Sequence, residues 1–122
     1  MAPVMPPEWA PHERTLMAWP TRRELWGAQL AAVKAQYTGV ANAVAAFEPV
    51  TMVVATAEDA AAARRTLTEA VDVVELAIDD SWMRDSGPIF TLDDATGAGR
   101  YEFDHRKIER ELLSQRVELI AA

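Results

Sequence analysis

The chain has 122 residues, half of them apolar and a quarter charged, which suits one domain built on a single core across residues 1–122. A net charge of −7 with scattered Arg and Lys excludes a nucleic-acid partner, and the absence of cysteine excludes disulfides, thiolate metal sites and thiol nucleophiles within this chain. The apolar stretches are too short to cross a bilayer and residues 1–7 lack the basic start and apolar core of a secretory signal, so a cytoplasmic protein with no membrane partner is expected.

Residues 1–20 carry Pro6-Pro7, Pro11 and Trp19-Pro20, which forbid a helix over most of the segment and predict an extended arm. Thr21-Arg22-Arg23-Glu24 matches a capping box and predicts a helix start. Trp26, Leu30, Val33, Tyr37, Val40, Val44 and Phe47 follow at intervals of three and four, predicting one long helix with a single apolar stripe that ends at Pro49. Residues 50–55 form a continuous β-branched and apolar run, the pattern of a strand buried on both faces. Thr56 is placed to cap a second helix running to Leu67, and residues 71–76 repeat the strand signal.

Beyond an acidic loop, residues 89–92 and 100–103 flank Asp93-Asp94-Ala95-Thr96-Gly97-Ala98-Gly99 and read as a hairpin. A charged helix over 106–114 and a short strand over 117–120 are expected to close the chain. Alternating helices and strands predict an α/β fold, a mixed sheet with packed helices. The five glycines are dispersed and form no phosphate-binding spacing, so no nucleotide cofactor is expected.

The chemistry concentrates in the acidic loop, where Asp79-Asp80-Ser81-Trp82-Met83-Arg84-Asp85-Ser86-Gly87-Pro88 joins three carboxylates, one guanidinium and an indole. A carboxylate accepts two parallel hydrogen bonds from a planar cation and an aromatic face stacks on it, so Trp82 and Asp85 together suit a small guanidinium-like ligand. Arg84 is suited to hold Asp79 or Asp80 in the charged form, Gly87 permits a tight backbone path, and Pro88 sets the direction of the next strand. From Glu69 to Asp104 ten carboxylates face only Arg84 and Arg100, a field that draws in cations.

Alternatives attach to the same residues. The loop also reads as a plain turn whose acids cap backbone amides while Trp82 plugs the edge of the core. Oxygen ligands at Asp79, Asp80 and Asp85 suit magnesium or calcium, but adjacent positions 79 and 80 point to opposite faces if extended, and no metal site is assigned. His12 and His105 read as solvated or hydrogen-bonded side chains, and Trp9, Trp19 and Trp26 as packing residues.

Pro7-Glu8-Trp9, Glu13, Thr15, Met17-Ala18-Trp19-Pro20 and the run from Asp80 to Pro88 resemble the N-terminal part of agmatine deiminases, which belong with the bacterial peptidylarginine deiminase-type enzymes. The resemblance covers about residues 5–104, leaving 21–104 as a family-like module and 105–122 as a divergent tail. It implies a partial pentein-like αβ-propeller of about one to one and a half modules, with Trp82 and Asp85 as substrate-binding residues and Asp79, Asp80, Arg84 and Gly87 supporting them. It further implies hydrolysis of agmatine to N-carbamoylputrescine and ammonia, in polyamine metabolism, with no metal or organic cofactor.

The family's cysteine nucleophile and histidine lie outside the resemblance, so no residue of this chain is assigned as catalytic and the chain is expected to be a truncated, inactive form. Uncovered sheet edges are expected to favour self-association. The alternative is a non-catalytic α/β module binding a cation or a protein partner through the acidic loop.

Overall fold

The computed structural model describes residues 4–78, 81–83, 89–92 and 99–102. Its centre is a three-stranded sheet in the order β1 (Thr15–Ala18), β2 (Val50–Val54), β3 (Val71–Glu75), with both pairings parallel. Parallel neighbours need crossover connections, and helices supply them. α1 (Arg23–Trp26), a 3-10 turn (Gly27–Gln29) and α2 (Leu30–Ala45) link β1 to β2, while α3 (Ala57–Thr66) links β2 to β3. The fold is therefore α/β as expected, but the expected mixed sheet is not what the described residues form: this sheet is wholly parallel, and antiparallel pairing is confined to a separate two-stranded sheet.

All five residues of β2 are buried, because this central strand is covered on both faces. Alternation divides their side chains between two clusters. Val50, Met52 and Val54 join Trp19, Val71 and the helical residues Ala41, Ala60 and Ala63 on one side. Val53 joins Ala18, Leu76 and Ile78 on the other, with Leu16, Val74 and Met83 packed against them.

The long helix differs from its prediction in two ways. Gly27 at φ 53° ends α1, so the apolar stripe is carried by two helices and a 3-10 turn. The buried face of α2 also runs through Ala41, with Val44 and Ala45 packed alongside, whereas Val40 and Phe47 are exposed. The 3.6-residue period explains Ala41 and Val40: relative to Leu30, Ala41 lies about 20° round the helix while Val40 falls about 80° the other way, and Phe47 lies beyond the helix end.

Thr21 forms no capping box. The cap position is Arg22, which makes no side-chain capping bond, and the Thr21 hydroxyl is directed instead to Asp59. The second cap forms as predicted, with Thr56 Oγ1 accepting from Asp59 N at 3.1 Å.

Within the stretch expected as an arm, β1 is hydrogen-bonded into the sheet, with Thr15 opposite Val50. Val4 bridges to Leu92, its amide donating to the Leu92 carbonyl at 2.9 Å. Leu92 ends β4 (Ile89–Leu92), which pairs antiparallel with β5 (Gly99–Glu102) in the expected hairpin. The hairpin turn, the predicted helix over 106–114 and the predicted strand over 117–120 lie outside the described residues.

Candidate functional site

Parallel strands end together, and in open α/β sheets the loops outside their carboxyl ends form ligand crevices. Here the ends are Trp19-Pro20 after β1, Ala55-Thr56 after β2 and residues 76–78 after β3. Two backbone bonds extend the ladder past the strands, Trp19 N to Val53 O and Leu76 N to Val54 O, each 2.8 Å. Trp19, Leu76 and Ile78 are buried, so the chain leaves the sheet from a packed platform.

A polar frame crosses this platform. Asp59, in the first turn of α3, accepts from the Thr21 hydroxyl through Oδ2 at 2.7 Å and from Lys34 Nζ through Oδ1 at 3.3 Å. One nearly buried carboxylate thus ties the loop after β1, helix α2 and the start of α3. Three residues beyond Lys34, on the same side of α2, the Tyr37 hydroxyl donates to Ser81 Oγ at 3.2 Å. That bond ties α2 to the acidic loop at Ser81.

Among the predicted site residues, Trp82 is described: its relative exposure is 52%, between buried Ser81 and half-buried Met83. Met83 packs against the second sheet cluster, leaving half of the indole's residue surface to solvent. Asp79, Asp80, Arg84, Asp85 and Gly87 lie outside the described residues. Among the described residues no group of three or more His, Asp or Glu could hold a metal ion, and no helix is long and apolar enough to cross a membrane.

Asp59, Lys34 and Thr21 were not singled out from sequence as site residues, and Tyr37 was read only as part of an apolar stripe. Their partners stand 25 to 44 positions away, so no local pattern marks them. A Lys and a Tyr one turn apart on a helix otherwise rich in small apolar residues were the available signal.

A second polar group lies at the opposite, amino-terminal end of the sheet. His12 Nδ1 approaches Glu48 Oε1 at 3.2 Å and Nε2 lies 2.7 Å from the Glu8 carbonyl, while the Thr15 hydroxyl donates to Glu48. The Glu8 carbonyl first, then Glu48, favour the imidazolium and raise the His12 pKa. The Thr15 hydroxyl chiefly, helped by His12, lowers that of Glu48. Arg14 donates to Thr51 Oγ1 at 2.6 Å and pairs with Asp72 at 3.3 Å, satisfying a buried hydroxyl beneath the sheet. These contacts fasten the arm and are remote in the fold from the loop after β3.

The sequence matches the model of the Porphyromonas-type peptidyl-arginine deiminase family over residues 4–114. The chain belongs to that family. The agmatine deiminase of Stutzerimonas stutzeri is 49% identical over 94 residues, covering 76% of this chain and 25% of the relative. Among solved structures, the agmatine deiminase of Enterococcus faecalis superposes with a TM-score of 0.75 at 34% identity, covering 81% of this chain and 27% of that one. An agmatine deiminase of C. jejuni shares the fold at a TM-score of 0.79 and 18% identity, covering 95% of this chain and 37% of that one. The chain spans about a quarter of the length of the curated relatives it matches. The peptidyl-arginine deiminase match takes in the arm, the parallel sheet and the whole acidic loop.

Proposed function

We propose that this chain contributes part of the guanidinium pocket of an agmatine deiminase-type hydrolase, with Trp82 stacking on the planar cation and Asp85 accepting its paired N–H groups. The supporting observation is the half-exposed indole of Trp82, set in the loop that leaves the carboxyl end of a parallel strand. Family membership and relatives named agmatine deiminase point to the same ligand class. In this reading Asp79, Asp80, Arg84 and Gly87 shape the loop around the pair, and the fold is about one to one and a half modules of a pentein-like propeller. Residues 21–104 form its family-like module, and of the tail proposed over 105–122 the last eight residues fall outside the family match, which runs to residue 114.

Deimination requires attack on the guanidinium carbon, and this chain has no thiol to make it. The isolated 122-residue chain therefore binds but does not turn over agmatine. Calorimetry with agmatine, arginine and magnesium tests the proposal, alongside an ammonia-release assay. The expected result is agmatine binding that disappears in Asp85→Ala, without ammonia release. Magnesium binding alone would favour a cation-binding module, and ammonia release would refute the assignment of no catalytic group.

A further inference from the structure

We propose that His12 is a proton-operated clamp between the amino-terminal arm and the turn that leads into β2: the charged imidazole holds both, and the neutral ring releases Glu48 while keeping Glu8. The clamp is separate from the guanidinium pocket and does not depend on it.

The ring lies between two acceptors. Nε2 is 2.7 Å from the Glu8 carbonyl, which can only accept, and Nδ1 is 3.2 Å from Glu48 Oε1. The Thr15 hydroxyl donates to that same oxygen and is the chief group holding Glu48 in its charged, acceptor-only form. Both ring nitrogens therefore need a proton, and only the imidazolium carries two. Either neutral tautomer sets a nitrogen lone pair against an oxygen.

Geometry decides which contact yields. The Glu8 bond is the shorter, and it is local to the arm, four positions away in a stretch stiffened by Pro11 and by the Ala10 amide bonded to the Pro7 carbonyl at 2.9 Å. The Glu48 contact is longer and spans 36 positions. On deprotonation the remaining proton stays on Nε2, and the bare Nδ1 turns away from the carboxylate. Residues 8–12 then part from the turn before β2, while β1 keeps its place through the Thr15 amide on the Pro49 carbonyl at 3.0 Å.

Among the described residues the charged groups facing the ring are Glu8 and Glu48, both acidic. Arg14, two positions on, is turned to Thr51 and Asp72. Glu8 and Glu13 make further interactions, but the ring holds the Glu8 backbone, so the clamp needs neither side chain. The Glu8 carbonyl first, then Glu48, raise the folded-state pKa of His12 above its ordinary 6.5. The clamp is thus closed below that raised value and opens as pH climbs through it.

Trp9 is bonded to Glu8 in sequence and is 88% exposed, so its ring reports on the arm. With 5-fluorotryptophan in the full chain, the Trp9 ¹⁹F signal, assigned by Trp9→Phe, is expected to sharpen between pH 5.5 and pH 8.5 as the arm loosens. The signal of core Trp19 should stay in place. The ¹⁵N signals of the His12 ring should titrate with the same midpoint, above 6.5. His12→Ala and Glu48→Ala cut the clamp from opposite sides, and each should give the sharp Trp9 signal already at pH 5.5, with an unchanged Trp19 signal showing an intact fold.

A Trp9 linewidth indifferent to pH would overturn the clamp. So would a Trp9 signal that still sharpens to the same extent in a folded Glu48→Ala chain, because the ring would then act without the carboxylate. A His12 midpoint at or below 6.5 would equally reject it.

Discussion

Replacing Asp59 with alanine tests the polar frame most directly. The substitution removes the acceptor of the Thr21 hydroxyl at 2.7 Å and the partner of Lys34 at 3.3 Å, and takes a negative charge from the first turn of α3. A hydrogen bond to a charged group contributes about 1.5 kcal/mol at the lower end of its range. The Lys34 pair is worth less than a buried one because 27% of the lysine side chain is exposed, and about 0.5 to 1 kcal/mol is appropriate. The helix dipole adds about 0.5 kcal/mol.

A loss of about 2 to 3 kcal/mol is therefore expected, and at about 4 °C per kcal/mol for a chain of this size Tm should fall by roughly 10 °C. Asp59→Asn keeps an acceptor for Thr21 and gives up the charge, so it should lose about half as much. Equilibrium unfolding in urea measures both variants, and a cycle with Thr21→Ala isolates the shared bond. A loss under about 1 kcal/mol in Asp59→Ala, or strictly additive effects with Thr21→Ala, would refute the claim that this carboxylate braces the loops.

Gly27→Ala should cost about 1 to 3 kcal/mol in urea unfolding, a conformational penalty because φ is 53° while an added Cβ meets nothing within 4 Å. Full stability in that variant would mean the α1 terminus relaxes without penalty. The His12 contacts predict a pH dependence with a definite sign. A raised folded-state pKa means that His12 adds stability fully below its ordinary 6.5, lost as pH climbs through the folded value. The lowered pKa of Glu48 means that its share is present above 4.5 and lost as pH falls through the folded value. His12→Ala should therefore be more harmful at pH 5.5 than at pH 8.5, by about 0.5 kcal/mol or less for so exposed a pair. A larger penalty at the alkaline pH would contradict this account.

The central strand was legible because burial on both faces leaves a continuous apolar run in β2, and the Thr56 cap because it closes within three residues. β1 was harder to see: four residues beside Trp19-Pro20 become a strand by pairing with β2, and that pairing is remote in sequence. Thr21 carried the local motif and met a different fate: the helix starts one position later, with Arg22 at its cap, and the Thr21 hydroxyl donates to a carboxylate 38 positions away. The face of α2 turned on a difference of one position, Ala41 against Val40, which spacings of three or four do not resolve.

By itself the amino-acid sequence determined the alternation of helices and strands, the buried central strand, and the gathering of acidic, basic and aromatic groups between Asp79 and Pro88. These follow from periodicity and composition within a few residues. Only the tertiary structure decided that Trp82 stands half exposed while Met83 packs inward, that Lys34 and Thr21 meet on Asp59, and that Tyr37 meets Ser81. Such meetings depend on which crossovers bring distant segments together, and a hydrogen bond across 44 residues leaves no trace in local pattern.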